Sequence, residues 1–276
     1  MHTARRMALA GSSGSTNMDI SVNDCLSRLN HRLYRQGYHY RAKVEIEPSV
    51  TTSVDVYALA PTWWLCKAYK YARAKYNKSI SAESKALGRK MKGRWHDFRV
   101  DSGTTGTNLR PALLEGQNLV QFAAGSFPQA RLGLNNGNSK TFTWGTASTG
   151  AWSIIEEFDA TYNVDQSPVN LVNMGTEISQ PYGEIDGDGG LNPTDFMEVQ
   201  SNGDEAPYNM TAIPSAVWVK IATLDGNAGS SGRQSTGYFD VPFGIIHLQA
   251  SSGLGDGELM LEVQKGEYQG VYGVKC

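Results

Sequence analysis

The chain has 276 residues, 40% hydrophobic and 19% charged, with a formal net charge of −2. That length can bury one large all-β core or two small ones, and the many short apolar runs cut by Gly, Ser, Asn and Pro favour one. No window approaches the ~20 apolar residues of a membrane helix, so helical membrane insertion is excluded.

Residues 1–20 are rich in Gly, Ser and Thr with little to bury, which predicts a mobile N-terminal arm ahead of one domain over 21–276. Arg5 and Arg6 fall early, but no apolar run follows them, so neither a signal nor a transit peptide is read. Between Asp19 and Gln36, Leu26, Leu29 and Leu33 at helical spacing predict a short helix. Over 38–47, Tyr40, Ala42, Val44 and Ile46 alternate with Arg41, Lys43, Glu45 and Glu47, the period-two pattern of a half-buried strand, and Pro48 ends it. A second strand over 53–59 leads to Pro61, after which Thr62 caps a predicted helix to about Tyr76. Another helical stretch, 81–93, completes a basic insertion over about 62–94.

Further strands are predicted over 95–100, 140–146, 152–160, 217–224, 237–249 and 258–264. Each carries β-branched or aromatic residues between turn signals such as Asn135-Asn136-Gly137, Asp225-Gly226 and Gly255-Asp256-Gly257. The expected fold is mainly β: a single eight-stranded antiparallel jelly roll, with two short helices inserted after the second strand and an acidic loop region over about 161–215. No fixed-period repeat occurs, which argues against a propeller or solenoid.

Catalytic patterns are scarce, and no enzyme is expected. Cys25, Cys66 and Cys276 have neither the even count of a disulfide framework nor the close spacing of a zinc site, which suits assembly inside a cell. His2, His31, His39, His96 and His247 lie far apart, with no HxxxH, HxH, Walker, Rossmann or GxSxG arrangement. Glu156 and Glu157, in a predicted strand, would face opposite ways. With Asp159 they would serve a hydrolase only if folding made the carboxylates converge.

The sharpest local motif spans residues 184–195. As a calcium-type loop it sets Glu184, Asp186, Asp188, Asn192 and Asp195 at places 1, 3, 5, 9 and 12, with Gly189 at the sharp turn and the Gly190 carbonyl at place 7. Glu at place 1 and the short Asp at place 12 depart from that pattern. An acidic surface loop without metal is therefore the stronger reading and calcium the alternative.

The charge is unevenly spread. Residues 1–99 hold 18 basic against 7 acidic side chains, a balance of +11, and the rest hold 7 against 20, a balance of −13. Such a split points to nucleic acid or membrane contact by one part, the alternative being opposed faces that aid solubility or pair with each other. Between Lys67 and Arg94, basic residues interleave with Trp64, Tyr69, Tyr71 and Tyr76. The aromatics read as core, and the cations as a phosphate-facing surface that reads no bases. The candidate nucleic-acid-binding residues are Arg5, Arg6, Lys67, Lys70, Arg73, Lys85, Arg89, Lys90, Lys92 and Arg94.

Three segments form a recognisable set: Arg32-Leu33-Tyr34-Arg35-Gln36-Gly37 before the first strand, Val56-Tyr57-Ala58-Leu59-Ala60-Pro61-Thr62-Trp63 before the helix, and Arg94-Trp95-His96-Asp97-Phe98-Arg99. Together with Glu205-Ala206-Pro207-Tyr208, Val217-Trp218-Val219, residues 235–244 and residues 259–270, they resemble capsid proteins of circular Rep-encoding single-stranded DNA viruses. The resemblance covers most of the chain from about residue 22. It implies a jelly-roll capsid protomer that associates with itself into an icosahedral shell around single-stranded DNA, in a virion assembled inside the host cell. It identifies no host receptor. Many such coats begin with a long Arg/Lys-rich arm, whereas here only Arg5 and Arg6 precede a Gly/Ser stretch. Either the helical cations take part of that role, or shells assemble empty. A calcium-dependent carbohydrate-binding jelly-roll module is the alternative from another class, suggested by Trp residues and the acidic loop.

Overall fold

A computed structural model describes residues 2–10, 15–47, 52–88, 93–115, 118–121, 130–133, 139–162, 217–225 and 233–276. In chain order these carry β1 (Arg6–Leu9), β2 (Asn17–Ser21), α1 (Val22–Asn30), β3 (Tyr38–Ile46), β4 (Ser53–Leu59), α2 (Trp63–Ala86), β5 (Thr107–Leu109), β6 (Ala112–Glu115), β7 (Asn118–Gln121) and β8 (Arg131–Gly133). There follow β9 (Ser139–Thr143), β10 (Ala151–Ser153), α3 (Ile154–Tyr162), β11 (Trp218–Asp225), β12 (Gln234–Ser235), β13 (Phe239–Val241), β14 (Ile245–Ala250), β15 (Leu259–Val263) and β16 (Gly273–Lys275). The chain divides into one compact unit, Met1–Phe158 with Pro214–Cys276, and a second, Asp159–Ile213. The acidic region expected over 161–215 lies, beyond the end of α3, outside the described residues.

The fold is mainly β, and its strands pair as nested hairpins. β1 pairs with β15, β2 with β14, β3 with β13 and β4 with β11, all antiparallel. β15 also lies against β3, and β14 against β4, so the pairs merge into two sheets. One is built on β3, which additionally holds β12 and β16; the other runs β11-β4-β14-β2-β5. Along each strand alternate side chains turn inward. Met7 and Leu9 of β1, Tyr40, Ala42, Val44 and Ile46 of β3, and Leu259, Leu261 and Val263 of β15 share one buried cluster with Met18 and Ile20, Val54, Val56 and Ala58, and Ile246 and Leu248 of the second sheet. This is a β-sandwich, in which burial of each large apolar side chain contributes roughly 1.5–3 kcal/mol. Outward-facing residues of the first sheet carry charge: Arg6 and Lys43 both reach Glu45, at 2.8 and 2.7 Å, and Lys43 reaches Glu262 at 3.2 Å.

Several expectations are corrected. Residues 1–20, read as a mobile arm, supply β1 and β2, whose Leu9, Met18 and Ile20 are fully buried. Strands of four and five residues are too brief to stand out from Gly/Ser flanks, and their ladder partners lie at the far end of the chain. Residues 95–100 form no strand. The predicted strand over 152–160 ends at Ser153, whose Oγ accepts the Glu156 N–H at 3.3 Å and starts α3. Ile154, Ile155 and Phe158 are buried at helical spacing. The predicted strand over 237–249 is broken by a 3-10 turn at Pro242–Gly244, where Phe243 and Gly244 take positive φ, and the chain passes from β13 in one sheet to β14 in the other. The two expected short helices are one 24-residue helix, α2, capped as expected by Thr62, whose Oγ1 accepts the Leu65 N–H. Finally, Cys66 and Cys276 are joined in a disulfide, while Cys25 is free and buried.

Candidate nucleic-acid interface

The helix α2 divides cleanly between two faces. Leu65, Ala68, Tyr69, Ala72 and Tyr76 recur every three or four residues and are buried. Tyr69 meets Phe243, Phe98 and Trp144 at centroid distances of 4.9, 5.3 and 6.3 Å, and its hydroxyl donates to the Phe98 carbonyl at 2.9 Å. Desolvation pushes that phenol well above its usual pKa. Tyr76 packs on Phe98, Phe142 and His96. These rings are core, as expected. Trp64, partly buried, meets Phe158, while Tyr71 is exposed and carries Lys75 over its ring at 5.1 Å.

On the opposite side Lys67, Lys70, Lys78 and Lys85 are all exposed. At roughly 100° per residue the four fall within an arc of about 80°, and at 1.5 Å per residue the row is about 27 Å long. Such a row of flexible ammonium groups meets phosphates as point charges and has no geometry for reading bases. Among the described residues no helix is long and apolar enough to cross a membrane, because α2 has the length but carries this charge.

The remaining candidates are distributed differently. Arg73 is half-buried and contributes to the field on Asp97, a buried carboxylate whose pKa desolvation raises and the Gln36 N–H, Arg35 and Arg73 lower. It belongs to the anchoring of the helix rather than to the lysine row. Arg94 is exposed in the turn after the helix. Arg5 is half-buried and Arg6 is held by Glu45, so this pair lies on the first sheet instead of joining the α2 cations. Arg89, Lys90 and Lys92 lie outside the described residues, as do Glu184, Asp186, Asp188, Gly190, Asn192 and Asp195 of the calcium-type loop. Lys78, on the same helix, joins the row although the candidate cations named from the sequence did not include it; the helical period continued through Asn77 aligns it with Lys67 and Lys85.

Two polar sites escaped the sequence reading. Asp19, buried, accepts the hydroxyl of Ser102 at 2.8 Å and that of Thr104, and its Oδ1 stands 2.8 Å from His247 Nδ1. This network ties β2, β14 and the 102–104 loop together. Beside it lies a cavity of about 200 Å³ whose lining includes Asp24, Arg28, Arg99, Asp101 and Arg110. Arg99 pairs there with Asp24, and burial lowers its guanidinium pKa to about 9. Of the carboxylates weighed for hydrolysis, Glu156 accepts the Ala147 N–H and Glu157 shares the first turn of α3, so neither sits on a strand as expected.

Compared with protein-family models, curated proteins and solved structures, the chain matches none.

Proposed function

We propose that the chain is a capsid protomer, a jelly roll that associates with copies of itself into an icosahedral shell enclosing single-stranded DNA. The observation that carries this reading is the nested strand pairing, first with last and inward from there: β1 with β15, β2 with β14, β3 with β13, β4 with β11. A long antiparallel ribbon of four strand pairs, rolled so that alternate pairs fall in opposite sheets, is the double-sheet jelly roll used by virus coats and also by lectins and cupins. The coat is chosen among these on the resemblance of the segments around Arg32–Gly37, Val56–Trp63 and Arg94–Arg99 to capsid proteins.

Surface chemistry supports the choice. Among the described residues β11 stands at the edge of its sheet and exposes Val219 and Ile221, at 44% and 37%, and a strand edge with apolar side chains seeks a partner. The α2 lysine row suits a sequence-independent phosphate contact, with part of the genome-neutralising role that a longer basic arm would otherwise fill. The site of action is then the virion, after assembly in the host cell. Contacts of this kind are individually modest and become strong by symmetric repetition.

Sedimentation and negative-stain microscopy of the purified chain test the proposal. Large, uniform particles are expected. A monodisperse monomer at micromolar concentration would overturn it, and chelator-sensitive glycan binding by that monomer would assign the chain to the carbohydrate-binding class instead.

A further inference from the structure

His39, Cys66 and Cys276 meet at one point from three separated segments. His39 lies on β3, Cys66 in the first turn of α2, and Cys276 directly after β16, whose Val274 pairs with His39. The Cys276 N–H donates to the Gly37 carbonyl at 3.2 Å, which holds the last residue against the start of β3. His39 Nε2 stands 3.2 Å from Cys66 Sγ, and one donor atom from each of the three residues lies within 4.8 Å of the others. All three side chains are half-buried.

A disulfide between the two cysteines makes no use of an imidazole aimed at one of its sulfurs. Two thiolates and an imidazole nitrogen, with no oxygen donor among them, are the set that Zn2+ selects and calcium does not. Donors about 2.0–2.3 Å from a shared ion in tetrahedral geometry stand roughly 3.3–3.8 Å apart, a separation the trio reaches once the sulfur–sulfur bond is open.

We propose that the reduced chain binds one zinc-class ion through His39 Nε2, Cys66 Sγ and Cys276 Sγ, with the fourth position left to water. Binding releases the two thiol protons. Oxidation is the competing fate: the Cys66 and Cys276 thiolates give two electrons to a low-molecular-weight disulfide, which takes up two protons from the medium and leaves as two thiols, the two cysteines join, and the ion departs. The same three segments are thus clasped by a metal where thiols are kept reduced and by a covalent bond where they are not. The inference stands apart from the capsid proposal, since it needs only the folded chain.

The test uses the full chain held in a phosphine reductant and titrated with Co2+ as an optical probe for zinc. Expected are one ion per chain, a thiolate-to-cobalt charge-transfer band, tetrahedral d–d bands, and loss of all of these on addition of equimolar Zn2+. The band is expected to vanish in Cys66→Ser and in Cys276→Ser and to persist in Cys25→Ser. In His39→Ala it is expected to remain with affinity weaker by at least roughly tenfold, the smallest loss found on disturbing even an outer-shell partner. The wild-type chain oxidised beforehand serves as a control that needs no substitution, and it is expected to show no band. Absence of a thiolate band in the reduced, folded wild type, or a band that depends on Cys25, would overturn the proposal.

Discussion

The side chain of Gln36 pairs with the backbone of Val100 in both directions: its Nε2 donates to the Val100 carbonyl at 2.9 Å, and its Oε1 accepts the Val100 N–H at 2.6 Å. The amide thus substitutes for a strand rung, and it is buried. Val100 therefore has both backbone groups satisfied without a partner strand.

Replacing Gln36 by Leu keeps the volume and strands both Val100 groups. A buried unpaired donor or acceptor costs about 1–3 kcal/mol, so with two such groups the variant is expected to lose about 2–6 kcal/mol in denaturant unfolding. A loss below about 0.5 kcal/mol, the range of ordinary surface changes, would mean that water takes over the rung.

Asp97 accepts the Gln36 N–H at 2.9 Å and is buried enough that desolvation raises its pKa above the ordinary carboxylate value. The folded chain therefore holds this proton more tightly than the unfolded one. In the window from about pH 4, the unfolded value, up to the raised native value, the contribution of Asp97 to stability falls as pH rises. Asp97→Asn removes that titration. Its stability relative to wild type is expected to climb with pH through the window and then level off, as followed by urea midpoints at successive pH values. A relative stability that declines with pH would contradict the assignment.

Leu9 is fully buried on β1, opposite Leu259. Leu9→Ala is expected to destabilise the sandwich by about 2–5 kcal/mol, the range for a buried Leu truncation. If residues 1–10 were a free arm, the same change would leave thermal unfolding unaltered.

Lys67, Lys70, Lys78 and Lys85 can be changed together to Ala, which preserves helix propensity. Each phosphate contact on single strands contributes about 0.7 to the slope of log affinity against log salt. Anisotropy titrations with oligothymidylate are expected to show weaker binding and a slope reduced by up to about 3. An unchanged slope would mark the row as a solvated face.

Part of this was legible in the residues alone. The alternation from Tyr40 to Ile46 identified β3, and the run through Val54 and Val56 identified β4, because a strand half-buried in a sandwich must repeat every second residue. Thr62 before Trp63 located the start of α2, since an N-cap is a local hydrogen bond. The surplus of cations between Lys67 and Arg94 was visible as composition. That Lys67, Lys70, Lys78 and Lys85 form one row depends on the helix continuing through Asn77, which burial of Ala72 and Tyr76 on the same face stabilises.

Local pattern carries no information about partners hundreds of residues away. Arg6–Leu9 become a strand only because residues 259–262 lie beside them, and the strand pattern around 237–249 breaks only because Pro242 has no N–H for the ladder and Phe243 and Gly244 turn the chain into the other sheet. His39, Cys66 and Cys276 have no motif spacing at all, and they converge because β16 pairs with β3 beneath the first turn of α2. The alternating residues determined that strands would form and which face each would bury. Which strand lies beside which, and so which side chains share a site, was decided by the closing of the nested ladder, where distant backbone groups find the hydrogen bonds that neighbours in sequence cannot supply.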